Sequence, residues 1–293
     1  MTAAVSPLPR SLVRSRNEAR RSIVDRFFRG LCFVAAIVGI IPLFAIIGYV
    51  VLNGIAGLNL DLITKPPRAL GTGGGAVAAI LGSLQLVGLA TVIAVPVGVG
   101  AAVYVAEFGG RRSATIVRFA ADVLVGIPSI LMGIFVFTLL VLPFRQFNAF
   151  AGSVALAFLM VPVVMRTTEE IVRLVPDSLR EASLALGVPR WRTVLSIVLR
   201  TGLGGILTGI MLAVARAAGE TAPLLFTALG SRLVNVGSFD KPMDALPIFV
   251  FINARQPIAA LNEQAWGAAL LLLLFVLTIN ILVRVRSVRR QAR

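Results

Sequence analysis

The amino-acid sequence predicts an all-α, polytopic integral membrane protein with six transmembrane helices. Three observations carry that expectation. Hydrophobic residues make up 58% of the 293 positions and charged residues 14%, with a mean hydropathy of +0.94, which is far more apolar than a water-soluble domain. Apolar runs of about 20 residues, long enough to cross the hydrocarbon core at 1.5 Å rise per residue, recur along the chain. Basic residues flank those runs on alternate sides, as orientation signals do.

In order, the chain divides into a basic arm (1–30), a first span with its outer connection (31–75), a helical core (76–284) holding a polar segment at 166–200, and a basic tail (285–293). The arm carries Arg10, Arg14, Arg16, Arg20, Arg21, Arg26 and Arg29 and is read as an orientation signal. Leu12, Ile23, Phe27 and Phe28 leave open an interfacial helix on anionic lipid. The first span, 31–52, exceeds the apolar core of a cleaved signal peptide and is read as a retained helix. The connection at 53–75 contains Gly71-Thr72-Gly73-Gly74-Gly75. It is read as a flexible loop, because a phosphate-cradling loop also needs Lys followed by Ser or Thr.

The second span, 77–105, contains Pro96 and leads to Glu107 and the turn Gly109-Gly110-Arg111-Arg112. The third, 119–142, has Asp122 near its start and then Gly126-Ile127-Pro128-Ser129. A proline there frees a backbone carbonyl, so this helix either faces other helices or simply kinks. The fourth span is 150–165, and the fifth ends near 229 beyond the polar segment. An outer loop, 231–263, and a sixth span, 265–283, complete the pattern.

On the side of the termini lie the arm, Arg111, Arg112, Arg118, Arg166, Arg173, Arg180, Arg190, Arg192, Arg200 and the tail arginines 284, 286, 289, 290 and 293. The other side holds Lys65, Arg68, Arg145, Arg232, Lys241 and Arg255. That asymmetry places both termini and the 166–200 segment in the cytosol, with the spans in contact with lipid. It also accounts for the net charge of +15 without nucleic acid.

Histidine is absent, which removes HExxH zinc sites and histidine bases. With no metal-ligand cluster, nucleophile–base pair or P-loop in the sequence, neither a metal, a cofactor nor catalysis is expected of this chain. Cys32 is the single cysteine; it excludes an intrachain disulfide and reads as a small buried side chain.

Within the polar segment, Thr167-x-x-Glu170 and Ser178-x-x-Glu181 offer capping boxes for two short helices, and Gly187 offers a left-handed stop. Leu179, Ala182, Ser183 and Leu186 fall on one helical face. So short a segment cannot enclose a core, so that face either rests on the bilayer or fits a groove of a cytosolic partner.

The fifth span carries Arg216 and Glu220. An arginine at mid-membrane costs roughly 2.5–3.5 kcal/mol on insertion scales. Its i,i+4 pairing with Glu220 returns only about 0.2–0.5 kcal/mol. On a continuous helix Gly205, Gly209, Leu212, Arg216, Glu220, Pro223 and Thr227 share an arc of about 80°, where small residues permit close approach. The charges then line a pathway or pair with another helix. A guanidinium suits an oxyanion, and phosphate, sulfate and molybdate fit it equally.

Glu181-Ala182-Ser183, three residues, Gly187, nine residues and Ile197-x-Leu199 resemble the EAA loop of bacterial ABC-importer permeases. Ser183 stands in place of Ala and Arg200 in place of the terminal Pro. The resemblance implies that Arg180, Glu181, Ala182, Ser183 and Gly187 dock a separate ATP-hydrolysing subunit, and that ATP and Mg²⁺ bind there. The run from Ala215 to Leu224, containing Arg216-Ala217-Ala218-Gly219-Glu220-Thr221, is similar to the permease family of phosphate ABC importers, PstA type. So are Gly126-Ile127-Pro128-Ser129, Arg166-Thr167-Thr168-Glu169-Glu170 and Ala245-Leu246-Pro247.

That family implies a type I importer fold, with Arg216, Glu220 and Thr221 on the substrate pathway and Ser129, Arg166, Glu169 and Glu170 as pathway or gate residues. The implied partners are a sister permease, two ATPase subunits and an extracytoplasmic phosphate-binding protein meeting loops 53–75 and 231–263. Other oxyanion importers and an ion-coupled carrier are the alternatives. The expected mechanism passes ATPase movement through the 178–187 helix into the fifth span, while Glu220 restrains Arg216 at rest.

Overall fold

In the computed structural model, which describes residues 16–68, 74–231 and 233–291, all the regular elements among those residues are helical. The chain divides into two units, Met1–Val50 and Val51–Arg293. Helix α1 (Arg16–Gly57), most of which belongs to the first unit, passes through Pro42 without interruption, so the described part of the basic arm continues into the first span. Phe33, Ile41 and Phe44 are exposed along it, a surface suited to hydrocarbon. Cys32 is exposed as well, correcting the expectation of a buried thiol: this stretch of helix presents its apolar side chains outward. Arg10, Arg14, residues 71–73, Arg232 and Arg293 lie outside the described residues.

In the second unit, α2 (Leu60–Thr64) is capped by Asn59, whose side chain accepts from the Leu62 amide at 2.7 Å. Part of the expected loop is therefore helical. Helix α3 (Val77–Val103) ends in a π-helical turn, Tyr104–Phe108. Helices α4 (Arg111–Gly126) and α5 (Ser129–Val136) follow, and α5 continues through the π-helical turn Phe137–Val141 into α6 (Leu142–Phe144). Then come α7 (Ala149–Leu174), α8 (Asp177–Ala185) and α9 (Arg190–Thr193). A third π-helical turn, Val194–Val198, leads into α10 (Leu199–Ala218), followed by α11 (Ala222–Thr227), α12 (Leu246–Ala254) and α13 (Ala259–Gln291). Among the described residues, five helical runs are long and apolar enough to cross a membrane, and α4 with α5–α6, bent by 103°, gives a sixth when the pair is counted as one span.

The third span is thus broken, not kinked. Ile127 N closes α4 on the Val123 carbonyl, Pro128 has no amide to continue the ladder, and Leu131 N restarts it on the Pro128 carbonyl at 3.0 Å. The fourth span is longer than expected, because α7 carries the charged residues as far as Leu174. Thr167 consequently caps nothing, and its hydroxyl donates to the Val163 carbonyl at 2.9 Å. The second capping box also fails. Pro176 occupies the N-cap, its fixed φ already suited to launching the helix, and Ser178 lies inside α8. The fifth span stops at Ala218, because Pro223 offers no amide to the Gly219 carbonyl four residues back. The 231–263 loop contains α12, which folds back into the protein; Leu246 and Ile248 are buried, and Leu246 N donates to Ser83 Oγ at 2.7 Å.

The main core joins α3, α7 and α10 through Leu86, Ala90, Leu156, Met160, Val164, Ile206, Ile210 and Ala213. Gly205 packs on Ile171 and Gly209 on Thr167, as expected of small residues that let helices approach. These two contacts set one antiparallel register between α10 and α7. Arg216 is therefore level with Met160, halfway along α7.

At the end of the bundle remote from α8, the first amides of α7 find backbone partners. Asn148 N donates to the Thr227 carbonyl at 3.1 Å, Ala149 N to Lys241 at 3.0 Å and Phe150 N to Phe239 at 2.9 Å. The Asn148 side chain accepts from Ala151 N at 2.7 Å, satisfying another orphan donor.

The two broken helices meet where Gly133 of α5 lies against Pro223 of α11, whose Cα is 2.6 Å from where a Cβ would sit. Gly133→Leu is expected to destabilise the chain by about 1–3 kcal/mol through overpacking. Gly88→Leu, at a position open within 4 Å, should change stability by less than about 0.5 kcal/mol. Thermal unfolding in mild detergent measures both.

Candidate functional site

Arg216 stands in the last turn of α10 with its side chain 53% exposed, and its Nε is 3.8 Å from Glu220 Oε1. Glu220 and Thr221 occupy the break before α11, where Gly219 N bonds back to the Arg216 carbonyl at 3.1 Å and Glu220 N to Ala217 at 3.2 Å. The expected stripe survives in part. Gly205 and Gly209 face α7, whereas Leu212 and Arg216 are exposed, and Pro223 and Thr227 belong to the next helix. The pairing is loose, and about half of the Arg216 side chain is open to the surroundings of the bundle.

A second cluster lies roughly 9–14 Å along the axis toward the α8 end, given the α7–α10 register and the 1.5 Å rise. Glu169 is buried and accepts from Arg118 Nε at 2.7 Å, with Arg173 Nη2 at 2.8 Å from the same oxygen. Its other oxygen lies 3.9 Å from Arg166 Nη1 and has no hydrogen bond among the described residues. Arg166 also donates to Asp122 of α4. The residues 166–170 are thus a helical turn on which Arg166 and Glu169 face α4, while Glu170 is exposed. Ser129 opens α5 half-buried.

The 177–187 element divides its residues between two faces. Glu181, Ala182, Leu186 and Gly187 are exposed, and Gly187 has the left-handed φ of +77° that its position as a stop requires. Ser183 is buried, its hydroxyl 2.8 Å from that of Thr193 on α9. Arg180 turns inward, with Nε 3.0 Å and Nη2 2.8 Å from Glu107 Oε1. It also donates to the carbonyls of Val172 at 2.8 Å and Val175 at 2.5 Å. Glu107, Arg118 and Arg173 are participants that sequence reasoning passed over. Each was visible only as a flanking charge.

At the opposite end a pocket of about 220 Å³ is lined by Arg68, Ser231, Asp244, Asn253, Gln264 and apolar neighbours. No group of three or more His, Cys, Asp or Glu suited to a metal ion occurs among the described residues. The groups the site does offer are guanidinium donors at two levels of a membrane bundle, which suits recognition of an anion.

Residues 94–290 match the family model of the binding-protein-dependent transport system inner membrane component. The phosphate transport system permease protein PstA of Yersinia pestis is 44% identical over 277 residues, covering 93% of this chain and 92% of its own length. PstA 1 of Mycobacterium tuberculosis H37Rv is 40% identical over 285 residues, covering 94% and 91%. Among solved structures, the inward-facing MetNI methionine ABC transporter superposes with a TM-score of 0.56 at 16% identity, over 73% of this chain and 93% of the other. An amino acid ABC transporter gives 0.53 at 15% identity, over 73% and 92%. The fold is that of ABC-importer permeases.

Glu169→Gln leaves Arg118 and Arg173 facing a neutral amide and is expected to cost about 1.5–3 kcal/mol of stability. Glu170→Gln, on the exposed side, should stay within about 0.5 kcal/mol. Unfolding midpoints of the two purified variants separate the roles.

Proposed function

Because this chain belongs to the PstA family of phosphate transport system permeases, we propose that it forms half the translocation pathway of an ATP-driven importer of inorganic phosphate. The observation that carries this reading is Arg216, held at mid-height on the bundle, half-exposed and only loosely tied to Glu220. A guanidinium so placed exchanges a weak internal partner for a phosphate oxygen. Thr221, in the neighbouring helix break, adds a hydroxyl. Arg166 and Arg118, gathered by Glu169 and Asp122, provide a second cationic step nearer the α8 end. Ser129 opens the helix beyond the other break.

The partner set is a sister permease, two ATPase subunits that hold ATP and Mg²⁺, and an extracytoplasmic phosphate-binding protein. The exposed Glu181, Ala182, Leu186 and Gly187 face the ATPase, and Arg180 and Ser183 hold that face in place. This chain itself catalyses no reaction. The arginine distribution supports a bacterial cytoplasmic membrane with both termini and α8 in the cytosol. The exposed outer face of Arg216 supports a pathway completed by the sister chain.

In cells lacking other phosphate uptake, Arg216→Ala at matched expression is expected to lower [³²P]phosphate uptake by about tenfold or more, the equivalent of one lost charged hydrogen bond. Excess sulfate should leave wild-type uptake unchanged. Undiminished uptake in the variant would remove Arg216 from the pathway. Competition by sulfate would redirect the reading to a broader oxyanion importer.

A further inference from the structure

We propose that Glu107 is the residue that transmits ATPase movement from α8 into the α3–α7 pair of the bundle. The inference rests on the importer reading above and adds a positioning residue to it. Glu107 lies in the π-helical turn that ends α3 and is 7% exposed. A carboxylate that deep at the end of an apolar helix is held there by its partner, and the groups that meet its side chain and its backbone carbonyl both come from the α8–α9 segment. Arg180 meets Oε1 through two guanidinium nitrogens, at 2.8 and 3.0 Å. Arg190 of α9 donates to the Glu107 backbone carbonyl, and its guanidinium carbon lies 5.4 Å from the centre of the Phe108 ring.

The α8–α9 segment is therefore held from both ends by one turn of α3. Between those ends the Ser183–Thr193 hydroxyl pair ties α8 to α9, so the two helices and the turn are linked to one another. Arg180 also closes the end of α7 by bonding the Val172 and Val175 carbonyls. Displacement of α8 reaches α7 through those carbonyls, but it reaches α3 through the Glu107 carboxylate. Helix α3 in turn packs against α7 along its length, with Gly98 seated on Val164. The extra residue of a π-helical turn commonly marks a functional site. Here it belongs to the turn that carries Glu107.

The route runs beside transmission through the fifth span, whose opening π-helical turn, Val194–Val198, packs directly against α8. It also separates docking from transmission. The exposed face of Glu181, Ala182 and Leu186 is left to the ATPase, while Arg180 and Glu107 lie beneath it.

The test uses the complete importer reconstituted in vesicles with its ATPase, sister permease and binding protein, and reads [³²P]phosphate taken up per ATP hydrolysed. Glu107→Gln is expected to retain the ATPase subunit while uptake per ATP falls about fivefold or more, the lower end of ordinary coupling between sites. Glu107→Asp, which keeps the charge for Arg180, should recover much of that ratio. Uptake per ATP in Glu107→Gln within twofold of wild type would overturn the proposal. So would reduced amounts of complex with an unchanged ratio, or loss of the complex in both variants, since the ion pair would then serve folding alone. Wild-type vesicles that hydrolyse ATP yet import no phosphate would instead sink the importer reading.

Discussion

The close antiparallel approach of α10 to α7 is the constraint on which the rest of the site depends. Gly205 on Ile171 and Gly209 on Thr167 bring the two backbones near enough for a single register to hold over several turns. Once that register is set, depth follows from sequence number alone. Arg216 comes level with the middle of α7, and the Arg166–Glu169 turn comes opposite the small residues of α10. Larger side chains at those glycines would separate the helices and uncouple the levels of the two charge clusters.

The same constraint explains why both flanking spans are interrupted. A bundle with arginines at two depths must place polar backbone and charged side chains where neither is exposed to hydrocarbon. Pro128 and Pro223 stop their helices, and α5 and α11 then meet at Gly133, where the absence of a side chain lets the two halves touch. Backbone groups freed at the breaks are answered locally, as by the Gly219 and Glu220 amides bonding to Arg216 and Ala217.

Much of this architecture was legible in the sequence because its signals are local. Apolar length, flanking arginines and an arginine inside an apolar run need no knowledge of neighbours, and Gly187 announced its own left-handed turn. The polar run at 166–174 misled for a physical reason: charges usually end a membrane helix, but here Glu169 is answered by Arg118 and Arg173, so the helix continues. The failed capping boxes share that cause. Thr167 had a ladder to join, and Pro176 launched α8 before Ser178 was reached. Glu107 was the least legible residue, since its guanidinium partners lie 73 and 83 positions away and no local pattern marks them. The i→i+5 hydrogen bonding of the π-helical turns is likewise invisible in composition, because Tyr104–Phe108 reads as an ordinary continuation of α3.

The backbone bonds at the start of α7 have a thermodynamic consequence. Thr227, Phe239 and Lys241 supply carbonyls to three amides that an isolated helix would leave to solvent. Separating residues 239–241 from α7 would therefore leave the Ala149 and Phe150 amides unanswered together, each buried donor costing about 1–3 kcal/mol unless water entered. The end of the bundle remote from α8 is accordingly tied to α7 at this edge, and residues 239–241 part from it only where water takes over those two amides.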